Sequence, residues 1–103
     1  LGVWPSPANI GQYYGGDVIV ENGLQAANAG SENIGTVLLM TNPNASTLTF
    51  GDFGSAGDQF RVGCAGRTST TLAGNVEGFL DLTPGQIVVL TRETGGIWLA
   101  TET

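Results

Sequence analysis

The chain has 103 residues, with nine carboxylates, three arginines and neither lysine nor histidine, so its formal net charge is -6. So few cations argue against nucleic-acid binding, which needs several phosphate-neutralising side chains on one face, and against an anionic membrane surface. Without histidine the usual general base and the commonest zinc ligand are missing, so we expect no enzyme, metal site or cofactor. No apolar run approaches the ~20 residues of a membrane-spanning helix, so we expect no membrane insertion.

Residues 1–16 combine many glycines and prolines with the aromatic side chains of Trp4, Tyr13 and Tyr14. That is too many helix breakers for a helix and too many aromatics for a solvated linker. We predict an irregular N-terminal arm over residues 1–16 that packs against another protein surface. These three aromatic side chains are its predicted contacts to a partner or receptor. A β-domain is predicted over residues 17–103.

The first half of this domain predicts several strands. Residues 17–21 form a β-rich run closed by Asn22-Gly23, a strong hairpin signal. Residues 35–41 read Gly-Thr-Val-Leu-Leu-Met-Thr, and a turn then leads into the alternating residues 47–50, which predicts a second hairpin. A glycine-rich loop follows.

Asp52 and Asp58 flank this loop, and a further strand is predicted directly after it. Two carboxylates here are open to interpretation as a glycoside-hydrolysis pair or as calcium ligands. Their spacing matches no specific template, which favours solvated turn carboxylates.

The second half contains a single cysteine and the most distinct hairpin. Cys64 lies among small apolar neighbours, which indicates a buried free thiol. The Pro84-Gly85 turn starts the apolar run 87–90, and a glycine-containing loop returns the chain into residues 97–99. Within that returning strand Trp98 is expected to be buried, the alternative being an exposed ring that stacks on a sugar.

About seven short strands at spacings of about 8 to 15 residues predict an all-β fold, a small antiparallel β-sandwich or barrel. Residues 35–41 and 85–91 also match position by position: glycine, a polar residue, four apolar residues and threonine. Either the two hairpins are repeats, or strand chemistry alone produces the match.

The two strongest strands are apolar on both faces, whereas a strand of a plain sandwich alternates between apolar and polar. Either the fold closes more tightly than a sandwich, or neighbouring copies cover the second face. We expect a homo-oligomer whose folded monomer is poorly stable. Its predicted interface residues are Val37, Leu39, Val88 and Leu90.

The region from residue 33 to residue 99 resembles the small β-domains at the ends of bacteriophage tail fibres and tailspikes. The likeness lies in the Pro-Gly-Gln strand at 84–86, the polar turn, the tryptophan strand at 97–99, and the leading segments 35–42 and 48–50. Phage capsid decoration proteins are similar in size and composition and form a close alternative. A free carbohydrate-binding module is the alternative from another functional class.

The resemblance implies a non-catalytic, trimeric virion protein on the surface of the extracellular particle. It would form a fibre or spike tip and attach to a host receptor. Its expected partners are its own copies, other virion proteins and, as a further candidate, a host cell-surface glycan.

Overall fold

The computed structural model describes residues 26–65 and 68–102 in full, and the backbone of residues 18–21. These ranges confirm the all-β prediction, since their only helical element is the single 3-10 turn Ser31–Asn33. The strands are β1 Val18–Glu21, β2 Ala26–Ala29, β3 Val37–Met40, β4 Ser46–Phe50, β5 Gln59–Cys64, β6 Thr70–Gly74, β7 Val76–Gly78, β8 Asp81–Leu82, β9 Ile87–Arg92 and β10 Trp98–Glu102.

The first six strands wind like a solenoid. β1, β3 and β5 lie side by side and parallel in one sheet. β2, β4 and β6 do the same in the second sheet. The chain therefore visits the two sheets alternately, and each winding is on the order of 20 residues long, at the short end of the range that solenoid repeats use.

The C-terminal strands reverse direction and end the winding. β9 runs antiparallel to β5, and β10 runs antiparallel to β9 and parallel to β7. In the second sheet β8 runs antiparallel to β6. The result is a six-stranded sheet in the order β1-β3-β5-β9-β10-β7 and a four-stranded sheet in the order β2-β4-β6-β8.

The predicted antiparallel sandwich or barrel of about seven strands is therefore wrong in topology. Five of the eight strand pairings among the described residues are parallel. The segments 37–40 and 46–50, predicted as a hairpin, lie in different sheets. Between them the Asn42 side chain accepts a hydrogen bond from the Asn44 amide at 2.7 Å, so the turn carries the chain around a corner.

The two N-terminal strands depart from a hairpin in the same way. β1 and β2 also belong to different sheets, so the hairpin signal that follows β1 does not join these two strands into a hairpin. The Asn22-Gly23 turn signal itself lies outside the described residues. Turn residues of this kind suit both a hairpin and a solenoid corner, which is why sequence alone does not separate the two.

The predicted C-terminal hairpin is confirmed by the antiparallel pairing of β9 with β10. The preceding turn closes with a hydrogen bond from the Gln86 amide to the Thr83 carbonyl, and Gly85 has a φ of +92°. A type II turn needs that positive φ after proline. The Gln86 side chain then accepts from the Thr83 amide at 2.8 Å and donates to Glu102 at 2.7 Å. The Pro-Gly-Gln motif thus ties this turn to the end of β10.

The core between the sheets centres on an aromatic cluster. Trp98 is fully buried, with ring centroids 4.9 Å from Phe53 and 5.1 Å from Phe60, and Phe50 packs beside them. This burial confirms the prediction for Trp98 and removes it as a sugar-stacking platform. Cys64 is a buried free thiol, as predicted, and its Sγ donates to the Thr68 carbonyl at 3.1 Å.

Replacing Trp98 with alanine should lower the free energy of unfolding by about 3 to 5 kcal/mol, the range for removing a large core aromatic. Trp98→Phe should cost only roughly 1 to 2 kcal/mol, because a phenyl ring keeps the contacts with Phe53 and Phe60. Urea unfolding measures both values. Equal stability of Trp98→Ala and the parent would contradict this account of the core.

Gly74 and Gly57 offer a matched pair of glycine substitutions. Both have positive φ, +87° and +93°, but a Cβ at Gly74 would collide with the Phe50 carbonyl oxygen, whereas Gly57 has open space around it. Gly57→Ala should cost about 1 to 2 kcal/mol for the left-handed backbone alone. Gly74→Ala should cost about 3 kcal/mol or more, because a steric clash with backbone adds to that term. Equal losses in urea unfolding would show that β4 and β6 are not in this register.

Candidate interaction surface

The six-stranded sheet has one face against the core and one face turned away from it. Leu38, Val62 and Val88 are paired across β3, β5 and β9 and point into the core. Because side chains alternate along a strand, the neighbouring positions point outward. We call this side the outer face, and its members with described side chains are Val37, Leu39, Gln59, Arg61, Gly63, Glu77, Ile87, Val89, Thr91, Leu99 and Thr101.

Part of the outer face is already covered within one chain. Leu39, Gly63 and Ile87 lie in one row across β3, β5 and β9, and Leu39 and Ile87 are only 0% and 4% exposed. A Cβ at Gly63 would lie 3.0 Å from Leu39 Cδ2 and 3.4 Å from Ile87 Cγ1. The two side chains therefore meet over the glycine, in space that a larger residue would occupy.

The rest of the outer face keeps exposed area. Val37, Val89 and Leu99 are half-buried, so apolar surface remains accessible on three strands. The polar members include Gln59, whose amide donates to Thr91 Oγ1 at 3.1 Å across the strand pair. A mixed apolar and polar sheet face of this kind is a candidate contact surface.

The four predicted interface residues do not share this face. Val88 and Leu90 point inward and are fully buried in the core, Leu39 points outward but is also buried, and Val37 points outward and is half-buried. Burial within one chain thus accounts for three of them, and the interface itself stays a prediction.

The outward apolar residues of β9 are Ile87 and Val89, which the prediction missed. The match between residues 35–41 and 85–91 carried the signal, since it aligns the inward Leu38 and Met40 with Val88 and Leu90. Position by position, the match pairs Val37 and Leu39 with Ile87 and Val89, so it would have put these four residues on one face.

The outer face of the four-stranded sheet is different in character. Its described side chains are small: Ala26, Asn28, Thr47, Thr49, Thr71, Ala73 and Asp81. Thr71 Oγ1 donates to Asp81 at 3.3 Å, and no large apolar side chain belongs to this set. It follows the polar pattern expected of a solvated sheet face.

Asp52 and Asp58 lie in the loop between β4 and β5, and both make contacts that stabilise it. The Arg92 side chain donates to the Phe53 carbonyl at 3.1 Å and forms an ion pair with the largely exposed Asp52 at 3.4 Å. Asp58 accepts a hydrogen bond from the Ser55 amide at 2.8 Å. In the described ranges no three acidic, cysteine or histidine side chains are grouped as a metal site would require. These contacts favour the turn-carboxylate interpretation.

Trp4, Tyr13 and Tyr14 lie outside the described residues, as does the whole predicted arm. Their role as partner or receptor contacts therefore stays a prediction, and so does the division at residue 16. In the part of the chain that is described, no helix is long and apolar enough to cross a membrane.

Comparison with protein-family models, with curated proteins and with solved structures finds no match for this chain. Its function has to be argued from its own residues and from the resemblance described above.

The two loop carboxylates should differ in their effect on stability. Asp58→Ala removes the acceptor of the Ser55 amide and should cost about 1 kcal/mol, as capping residues do. Asp52→Ala breaks only an exposed ion pair, so we expect less than about 0.5 kcal/mol. Urea unfolding compares the two. A rise in melting temperature with calcium that needs both carboxylates would instead restore the ion-site interpretation.

Proposed function

We propose that this domain is a non-catalytic virion structural and attachment domain, a tail-fibre or tailspike tip that acts as a homo-oligomer. The observation that carries the proposal is the outer face, where half-buried Val37, Val89 and Leu99 lie on a sheet whose other side already packs the core. The phage context comes from the resemblance of residues 33–99.

Self-association follows from the chemistry of this face. A sheet that packs one face on the core normally presents polar side chains on the other. Covering the three half-buried apolar side chains would contribute up to about 1 kcal/mol each, at ~25 cal/mol per Å² of apolar area. The three-fold order of the assembly rests on the resemblance alone.

The alternatives differ in what they need from the surface. A free carbohydrate-binding module should present an exposed aromatic platform, but every aromatic side chain among the described residues is buried or half-buried. A capsid decoration protein would share the composition and the self-association. It differs in where the chain sits on the particle.

Self-association is tested by light scattering over a wide concentration range. We expect a mass that rises above the 10.6 kDa monomer, towards three copies, as concentration increases. The melting temperature should rise with concentration, because assembly stabilises only the folded chain. A monomeric mass and a constant melting temperature would favour the carbohydrate-binding module.

Placement on the particle is tested with an antibody against the folded domain. Label at the ends of tail fibres on purified phage particles supports the fibre or spike tip. Label over the head supports the decoration protein. Particles that carry no label anywhere, from a culture that makes the chain, would contradict a virion role.

A further inference from the structure

We propose that residues 7–10 of this chain add a parallel strand to the free edge of β2, the side of that strand that faces away from β4. These four residues belong to the predicted N-terminal arm, which lies outside the described residues. The proposal goes beyond the virion role and does not depend on it, because it rests on strand register and on a repeat in the sequence.

The edge of β2 is open on one side among the described strands. β2 is the first strand of the four-stranded sheet, and in the described part of the chain it pairs only with β4. Ala29 is buried in the core and Ala27 is half-buried, so the inner face of the sheet ends here on two small apolar side chains. An uncovered edge presents unpaired backbone donors and acceptors, which proteins normally pair or cover.

The register of the other sheet gives the spacing between the first two windings. Residues 18–21 pair in parallel with residues 37–40, which come 19 positions later. A strand that precedes β2 by the same spacing consists of residues 7–10. Residues 11–17 would then join it to β1, just as residues 30–36 join β2 to β3. The chain therefore has the length needed to place residues 7–10 beside β2.

The sequence repeats at this same spacing. Five residues recur 19 positions later: Ala8 as Ala27, Asn9 as Asn28, Gly11 as Gly30, Gly16 as Gly35 and Val18 as Val37. Gly35 has a φ of +81°, a conformation that favours glycine, and Gly16 supplies a glycine at the corresponding place before β1. The corner residues between these glycines differ, so the proposal concerns the strand at residues 7–10 and not the shape of the corner.

The side chains of the added strand suit the two faces of the sheet. Because side chains alternate along a strand, the register puts Ala8 and Ile10 on the inner face and Asn9 on the outer face. Ile10 would cover Ala29, which is the smallest kind of core side chain and leaves room beside it at the end of the sheet. Pro7 stands at the first position of the strand, where the missing N–H is tolerated. A terminal repeat of a solenoid commonly departs from the inner repeats in this way.

The competing occupant of the edge is the same segment of a second copy. Within one chain, seven residues tether residue 10 to β1. A tether this short corresponds to an effective concentration on the order of millimolar. The chain's own segment therefore occupies the edge at the concentrations used for most measurements.

The first test compares Ile10→Asp with the control Asn9→Asp in the full chain. Both variants add one negative charge at neighbouring positions, but only Ile10→Asp places it on the inner face. We expect Ile10→Asp to lower the melting temperature by about 10 °C and Asn9→Asp to lower it by less than about 2 °C. Equal shifts, whether large or small, would overturn a strand in this register.

The second test is NMR spectroscopy of the parent chain, which decides the question even if Ile10→Asp does not fold. Nuclear Overhauser effects should join backbone protons of residues 8–10 to those of residues 27–29, and their absence would show the proposal to be wrong. A mixture of isotope-labelled and unlabelled chains identifies the occupant. If these contacts occur only between different chains, a second copy takes the edge and the proposal fails. Neither result bears on the virion role, which the antibody labelling tests separately.

Discussion

The packing of Trp98 joins the two parts of this fold. The parallel windings supply Phe50 from β4 and Phe60 from β5, and the returning hairpin supplies Trp98 from β10. The loop between β4 and β5 adds Phe53. A solenoid in which each winding contacts only its neighbours needs a closed end to exclude water from its core. Here the aromatic cluster lies where the parallel windings meet the returning hairpin, so it joins the core of the two parts.

Arg92 links this cluster to the loop above it. Its side chain holds the Phe53 carbonyl, while its backbone amide donates to the Asp58 carbonyl at 2.9 Å and its carbonyl accepts from the Gly57 amide at 2.8 Å. Charged groups that look chemically suggestive in the sequence thus serve a structural purpose. Carboxylates and a guanidinium can satisfy backbone groups that a glycine-rich loop would otherwise leave to water.

The sequence predicted local features well and long-range pairing poorly. The C-terminal hairpin, the buried Trp98 and the free thiol of Cys64 follow from turn chemistry and apolar neighbours, which act over a few residues. The parallel pairing of β3 with β5 depends on residues about 24 positions apart, and no periodic motif marks it. The strands at residues 37–40 and 87–90 are apolar on both faces, as the sequence indicated. Part of the reason lies within one chain, where Leu39 and Ile87 meet over Gly63.

Burial within one chain changes what the proposed assembly would have to do for this protein. If Leu39, Val88 and Leu90 had needed a neighbour for their burial, the isolated chain would have lacked part of its core. Since they are buried within one chain, their part of the core does not depend on a second copy. In the proposed assembly, association would add stability to the folded domain, and a fold with its own core can exist as a monomer and still assemble at high local concentration. In the proposed assembly, tethering copies in a larger particle would supply the local concentration that weak contacts through the outer face require.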